Sequence, residues 1–343
     1  MTEAPTAQHS APSADTALHS DPLPETLVDA VVIGGGAAGL NAALMLGRSR
    51  RSVVVLDSGS PRNAPADGIH GLLGNEGTPP AEFLARGRNE VRSYGGLVVS
   101  ATVREAHPIP SDDGDLRFRI ELVDGRTLEA RRAVVATGIR DELPPIPGLA
   151  KHWGRGLVHC PFCHGYEVRD QPIGVIATLP FHAHLALMFR ALSEDVQVFA
   201  AGVDFDAATR DRFNALGMTV HDVSIEEVLE GPGGTIAGVR LAGGEIVARS
   251  VLAAGTRMIP RLDGLEGLGL ELEELPGGMG QKVATGQAGT TQVPGVWVAG
   301  NAADPSAQVG ASAAAGALAG AHLHSSLVMA EADAAVAALA ATA

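Results

Sequence analysis

Cysteine is almost absent: the 343 residues contain two, which excludes a disulfide framework. Both lie in one four-residue window, Cys160 and Cys163, so all thiol chemistry is in one place. Aromatic residues are scarce too, at 3%, which argues against a surface that stacks bases or sugars. Positive charge is in deficit, with 25 Lys and Arg against 39 Asp and Glu and a net charge of −14. A phosphate backbone would be repelled by that balance, so no nucleic-acid partner is expected. No uninterrupted apolar run reaches the ~18 residues of a membrane helix, and no membrane partner is expected. Residues 1–26 hold four prolines and four acidic residues but no Lys or Arg. They lack the basic start and apolar centre of a secretory signal, so they read as a disordered tail on a cytoplasmic protein.

What is present suits a packed α/β chain. Hydrophobic residues make up 45%, enough for a core, and the length fits two or three domains of about 100–200 residues. From Asp29 an apolar run, a glycine cluster and an Ala-rich helical stretch reach about Arg50. A second apolar run, Val53 to Leu56, ends in Asp57. That order reads β-α-β. Residues 61–80 are rich in Gly and Pro and read as loop, and 81–94 return to helical character. Strands are expected near 97–104, 117–123 and 132–136, the last running into Ala136-Thr137-Gly138. Prolines at 144, 145 and 147 mark a linker.

A second unit begins near Gly156, with a strand near 173–177, a helix near 181–193 and a strand near 196–200. Its closing Ala254-Gly255-Thr256 echoes Ala136-Thr137-Gly138, which suggests two similar units, one inserted in the other. From Val296 a short strand reaches Gly300-Asn301, and an Ala-rich helix runs from about Pro305 to the end of the 320s. The expected fold is α/β with two nucleotide-binding-type (Rossmann-like) domains. One comprises 27–149 and 256–343, and 150–255 is inserted in it.

Three motifs carry chemistry. Gly34-Gly35-Gly36-Ala37-Ala38-Gly39 is a G-x-G-x-x-G between a strand and a helix. Gly34 permits the tight turn, Gly36 admits a pyrophosphate to the backbone, and Gly39 lets helix pack on strand. The diphosphate then meets free amides and the positive end of the helix dipole. Asp57 ends the next strand, where an acid is wanted for a ribose hydroxyl. The plainer alternative is a glycine-rich turn without a ligand; strand, helix and acid in register favour the nucleotide.

The second motif is Cys160-Pro161-Phe162-Cys163-His164. Cysteines at this spacing close a small reversible disulfide, and such a thiolate has a lowered pKa. C-x-x-C-H is also a c-type haem attachment signature, but that maturation requires export. A zinc site needs four ligands, and His159 and His164 would have to converge with both sulfurs. A redox pair is the preferred reading. The third motif is Val298-Ala299-Gly300-Asn301 with Asp304-Pro305, read as an N-cap and first helical residue. That helix would aim its positive end at whatever sits by Gly300, and the plainer alternative is an ordinary capped helix.

In this order the motifs resemble the thioredoxin-reductase-like flavoproteins, over nearly everything from 27 to about 330. The resemblance implies FAD, held by Gly34, Gly36, Ala37, Ala38, Gly39 and Asp57, by Thr137 and Gly138, and by Gly300, Asn301, Gln308 and Val309. It implies that Cys163 faces the flavin and Cys160 meets the substrate, and it implies a homodimer. Two departures matter. His164 stands where those reductases carry an acid, and an imidazole can take a thiol proton at neutral pH. In the inserted unit the second fingerprint is replaced by Ala177-Thr178-Leu179-Pro180-Phe181-His182. Side chains at 177, 179 and 182 would push a pyrophosphate away, and Pro180 lacks an amide donor. No Arg pair follows the next strand, where 199–202 read Phe-Ala-Ala-Gly.

With its NADPH site erased, the chain is most similar to the dithiol oxidases of gliotoxin and holomycin biosynthesis. The expected partners are a small-molecule dithiol or a thioredoxin-like protein, with O2 as acceptor. The alternative is an NADPH- or ferredoxin-dependent thioredoxin reductase. His322 and His324 lie in the last helix, and residues two apart point to different faces, so at most one could reach the site.

Overall fold

Strands β1 (Val28–Ile33) and β2 (Val53–Asp57) are nearly continuous apolar runs, with almost every side chain buried. That is what parallel strands covered on both faces require. A computed structural model describes residues 20–111, 114–200 and 202–342. Between β1 and β2 lies α1 (Ala37–Arg48), which buries Leu40, Ala43 and Leu46. After β2 a long loop leads to α2 (Pro80–Ser93), which starts on proline and buries Leu84 and Val91. There follow β3 (Leu97–Ser100), β4 (Val103–Ile109), β5 (Arg117–Leu122) and β6 (Thr127–Val135), and β7 (Ile139–Glu142) leaves this unit.

The inserted stretch contains β8 (Leu157–Val158), α3 (Pro161–His164), β9 (Ile173–Ile176), α4 (His182–Arg190), β10 (Val196–Phe199), α5 (Ala207–Ala215) and β11 (Thr219–His221). It ends with β12 (Ile225–Glu230), β13 (Ile236–Leu241), β14 (Ile246–Ala248) and β15 (Val251–Ala254). β16 (Arg257–Pro260) returns antiparallel to β7, pairing Arg257 with Glu142 and Pro260 with Ile139. A hairpin of β17 (Leu272–Glu274) and β18 (Gln281–Val283) precedes β19 (Val296–Val298) and the 34-residue α6 (Val309–Thr342).

Two Rossmann-type sheets result. The first has seven strands in the order β3-β2-β1-β6-β5-β4, with β19 also on β6. β6 serves both neighbours: Ala130 pairs with Phe118 of β5, whereas Ala133 to Val135 pair with β19. The second is the parallel sheet β11-β10-β9-β15-β8, flanked by the antiparallel β12-β13-β14. Alternate residues of β1 point to opposite faces of the first sheet. Val31 joins Leu56, Phe118 and Val298, while Val32 joins Leu40, Leu46, Trp297 and Leu323. Helices α1 and α6 nearly touch backbone to backbone, since a Cβ on Gly316 would lie 1.9 Å from the Ala38 carbonyl oxygen.

Three expectations need correction. The tail is not solvated throughout: Asp21 Oδ2 accepts from Arg92 Nε at 2.8 Å and from the Val98 amide at 2.7 Å, and Leu23 packs on the core. The rest of the tail, 1–19, lies outside the described residues. Asp304 does not cap the last helix, which starts later, at Val309. Asn301 Nδ2 donates to the carbonyls of Asp304, Pro305 and Ala307. Asn301 thus pins 304–307 as a turn, in which the Asp304 carbonyl also accepts from the Ala307 amide at 3.0 Å, and Asp304 Oδ1 closes only onto Ser306.

The same helix also runs beyond the 320s, because its Ala-rich end has high helix propensity and Glu331 anchors it to Arg51 and Arg131. By length and composition, Val309–Ala341 could cross a membrane. It contains no unbroken apolar run of that length, because Ser, His, Glu and Asp interrupt it. In the fold, its Ala319, Leu323 and Leu327 are buried against the first sheet's helical face.

Candidate active site

The end of β1 forces the chain into a turn that only glycine fits. Gly34 has φ +112°, and a Cβ there would lie 2.3 Å from the Ala136 carbonyl oxygen at the end of β6. Gly39 is constrained by packing, as its Cβ would lie 1.9 Å from the Gly34 oxygen. Gly36 is different: nothing stands within 4 Å of its Cβ position. The first bond of α1 runs from the Leu40 amide to the Gly36 carbonyl, and no side chain caps the helix. The amides of Ala37, Ala38 and Gly39 therefore face an open cradle. Asp57 lies beneath the loop, with Oδ1 accepting from the Gly59 amide at 2.9 Å and Oδ2 3.6 Å from Arg88. Across the cradle, the Thr137 hydroxyl is buried without a hydrogen-bond partner, beside Gly138. A buried hydroxyl without a partner costs about 1–3 kcal/mol. The open space at Gly36 and this lone hydroxyl both fit a bound dinucleotide.

The turn after β19 closes on the same place. Gly300, at φ +73°, would set a Cβ 2.8 Å from the Ala38 Cβ. Asn301 spends its amide nitrogen on the 304–307 turn, so only its oxygen remains for a ligand. Gln308 directly precedes Val309, the first residue of α6, and a Cβ on Gly71 would stand 3.4 Å from Gln308 Oε1. The 58–79 loop thus lies against the start of that helix.

Cys160 and Cys163 form a disulfide, with Cα atoms 5.3 Å apart. Cys160 caps the four-residue α3, Pro161 starts it, and the Cys163 amide donates to Cys160 Sγ at 3.2 Å. His164 ends this helix, and Phe162 and Tyr166 are exposed beside it.

A polar network flanks the pair at His159, which stacks on Trp153 with ring centroids 5.4 Å apart. Arg62 Nη2 donates to His159 Nε2 at 3.1 Å, and Arg62 makes two 2.7 Å bonds to Asp141. Asp141 also accepts from Thr256 Oγ1 at 2.6 Å. Burial, with the Arg62 guanidinium and His164 adding to it, holds His159 down to about 4, against the opposite pull of Asp141. Burial opposes the charge on Asp141, yet the bonds from Arg62 and Thr256 hold its carboxyl below the usual range. At neutral pH, His159 is thus an uncharged acceptor and Asp141 an anion.

The inserted sheet has a corresponding turn after β9, but it is filled. His182 is buried, and its Nδ1 accepts from the Thr178 amide at 3.0 Å. A Cβ on Gly255 would fall 1.9 Å from His182 Nε2, so the ring lies in the cleft at the end of β15. The Thr178 donor that could meet a phosphate is occupied.

Of the residues singled out from sequence, the glycine loop, Asp57, Thr137, Gly138 and Gly300 gather around the start of α1. The imidazoles of His322 and His324 accept instead from Trp297 Nε1 and Arg51 Nε, both at 3.1 Å. Among the described residues, no group of three or more His, Cys, Asp or Glu could hold a metal ion. Arg62, Asp141 and Thr256 were missed. Arg62 lies in a loop with no periodicity, and its partners are distant in sequence; the only signal was a charged residue in a Gly- and Pro-rich loop.

A family model described as pyridine nucleotide-disulphide oxidoreductase matches residues 28–321. The chain is 34% identical over 266 residues to a protein named thioredoxin reductase tcpT from Claviceps purpurea (strain 20.1), covering 74% of this chain and 80% of that one. It is 32% identical over 301 residues to thioredoxin reductase sirT from Leptosphaeria maculans, covering 83% and 89%. The crystal structure of HlmI superposes with a TM-score of 0.85 at 43% identity, over 93% of this chain and 98% of that one.

Proposed function

Because this chain belongs to the pyridine nucleotide-disulphide oxidoreductase family and is thioredoxin reductase-like, we propose that it is a dithiol oxidase. It is an oxidoreductase, and FAD is its cofactor. The residues fitted to hold FAD are the Gly34–Gly39 loop, Asp57, Thr137, Gly138 and the Gly300 turn. When bound, FAD supplies a two-electron acceptor that returns the cysteine pair to its disulfide and passes the electrons on, in this reading to O2 as hydrogen peroxide.

One substrate thiolate attacks Cys160 Sγ, the Cys160–Cys163 bond breaks, and Cys163 leaves as a thiolate. The second substrate thiolate attacks the substrate sulfur of the mixed disulfide, which closes the product disulfide and releases Cys160 as a thiolate. The Cys163 amide that donates to Cys160 Sγ stabilises that anion. The two electrons that leave the substrate now reside on the cysteine pair, and its two protons go to His164 and to solvent. His159 does not take them, since Arg62 already donates to its Nε2.

The observation that carries the oxidase reading is His182, which fills the cleft where a nicotinamide dinucleotide would sit. Weak or misplaced binding there would forfeit the proximity that hydride transfer needs. The test is anaerobic: NADPH or NADH should not bleach the yellow FAD-loaded protein, dithiothreitol should, and air should restore the colour with peroxide released. Rapid stoichiometric bleaching by NADPH would replace this reading with a pyridine-nucleotide-dependent reductase. A second reading takes a thioredoxin-like protein as the dithiol; the relatives' names and the exposed Phe162 and Tyr166 favour it. A cytoplasmic location and a homodimer belong to the same proposal; exposed Leu318, Met329, Val336 and Leu339 on α6 support the dimer. Light scattering tests the dimer.

A further inference from the structure

The helix that carries the redox pair is short and only partly covered by its own unit. α3 has four residues, and none of them is buried. Its parent sheet is joined to the first sheet by β7 and β16, a ribbon of two strands. Such a ribbon is a narrow tie between the redox helix and the first unit. The 58–79 loop of the first unit adds to it, on both sides of the pair.

On one flank, Arg62 binds His159, the residue directly before Cys160, and binds Asp141 of β7 bidentately. One guanidinium therefore ties the ribbon to the redox segment. Three residues on, Pro65 packs so closely on Gly154 that a Cβ there would lie 2.6 Å from the Pro65 Cβ. On the other flank, His70 stands between two carboxylates. Its Nδ1 donates to Glu76 Oε1 at 2.7 Å within the loop, and its Nε2 lies 3.6 Å from Glu167 Oε1, four residues past Cys163. The loop is braced from behind, since Ile69 and Thr78 bridge across its second half and Leu72 lies against the first turn of α6, 3.3 Å from a Cβ placed on Gly310.

We propose that Arg62 and His70 are positioning residues that clamp the Cys160–Cys163 helix from both flanks onto the 58–79 loop, and through it onto the unit that carries the glycine-loop cradle. This rests on the reading that the disulfide exchanges electrons with FAD. Neither residue touches the reacting atoms; each acts through a residue next to the motif. Small displacements of reacting groups cost rate steeply, so loosening the clamp lowers the maximal rate more than it lowers substrate affinity.

The test uses the FAD-loaded full chain with Arg62→Ala, His70→Ala and Glu167→Gln. Hydrogen exchange of 157–168 should quicken about fivefold or more in Arg62→Ala and His70→Ala, because a local clamp has been opened. On a Cys160→Ser background, the long-wavelength absorbance of the Cys163 thiolate against flavin should fall by about half in each, since it reports that juxtaposition. The limiting rate of anaerobic bleaching by dithiothreitol should drop about tenfold, with the half-saturating concentration little changed. Glu167→Gln, which keeps the shape and removes the charge, should show a smaller effect in the same direction. Unchanged exchange and an unchanged band would overturn the clamp. If Arg62→Ala does not fold, the two variants at the other flank decide the matter. If dithiothreitol fails to bleach even the wild-type protein, the oxidase reading fails, and the exchange comparison still judges the clamp.

Discussion

The imidazole of His182 occupies the space that any side chain on residue 255 would need, with Nε2 1.9 Å from the position of a Cβ on Gly255. Gly255→Ala should therefore destabilise the protein by about 1–3 kcal/mol, the range for an overpacked core. Adding His182→Ala should recover most of that loss. Denaturant titration of the two single variants and the double variant checks it, and strictly additive costs would show that the two residues are independent.

Gly36→Val separates cofactor binding from folding. Residue 36 is extended, at φ −79° and ψ −174°, and its Cβ direction is open. The cofactor-free variant should melt with the wild type stripped of FAD, within about 0.5 kcal/mol. It should lose the yellow colour on purification, because the side chain bars the backbone from a pyrophosphate. Gly39→Ala should behave otherwise and fail to fold, since the Gly34 carbonyl is in the way. Retained flavin in Gly36→Val would refute the cradle.

The cysteines should differ in colour as well as in role. Cys160→Ser leaves Cys163 as the thiolate facing oxidised flavin and should add a long-wavelength absorbance band; Cys163→Ser should not. Both variants should lose turnover. A band seen only in Cys163→Ser reverses the roles.

His159 predicts an acid limb in the stability profile. Its folded pKa of about 4 lies below the ordinary histidine value, so between the two the unfolded chain binds more protons. The contribution of neutral His159 is complete above about pH 6.5 and drains away as pH falls toward 4. Chemical denaturation across that window should show stability rising with pH, and His159→Phe should flatten the slope. An unaltered slope in that variant would assign the effect to other groups.

Much of the fold was legible because its signals are local. The glycine loop, the strand before it and Asp57 occupy one short stretch, and each residue type answers a local steric or charge demand. The start of α6 was misread for an equally physical reason. Asp304-Pro305 is a good helix opening in isolation, but Asn301 donates to the carbonyls of 304, 305 and 307 and pins them as a turn. The Arg62–Asp141–Thr256–His159 network could not be seen at all. Its members are separated by up to 194 positions along the chain (256 − 62) and meet only because β7 and β16 pair beside the 58–79 loop. The filled second cleft was half legible: missing glycines foretold a poor phosphate site, but not that His182 itself would lie against Gly255.

The pairing of β19 with β6, and the close approach of α6 to α1, have a consequence for how the chain is made. Both of these closing elements follow the whole inserted unit. On the ribosome, Ala38 and Ala42 of α1 wait for Gly316 and Gly320, their backbone neighbours in the finished fold, until the inserted unit and the start of α6 have emerged. The inserted sheet, complete by Ala254, is free to form first as a unit. The nascent first unit meanwhile exposes the apolar face of α1, so a pause in translation between 255 and 309 would leave it open to aggregation or chaperone capture. A segment made after the inserted unit is thus the one that lets the first unit finish folding.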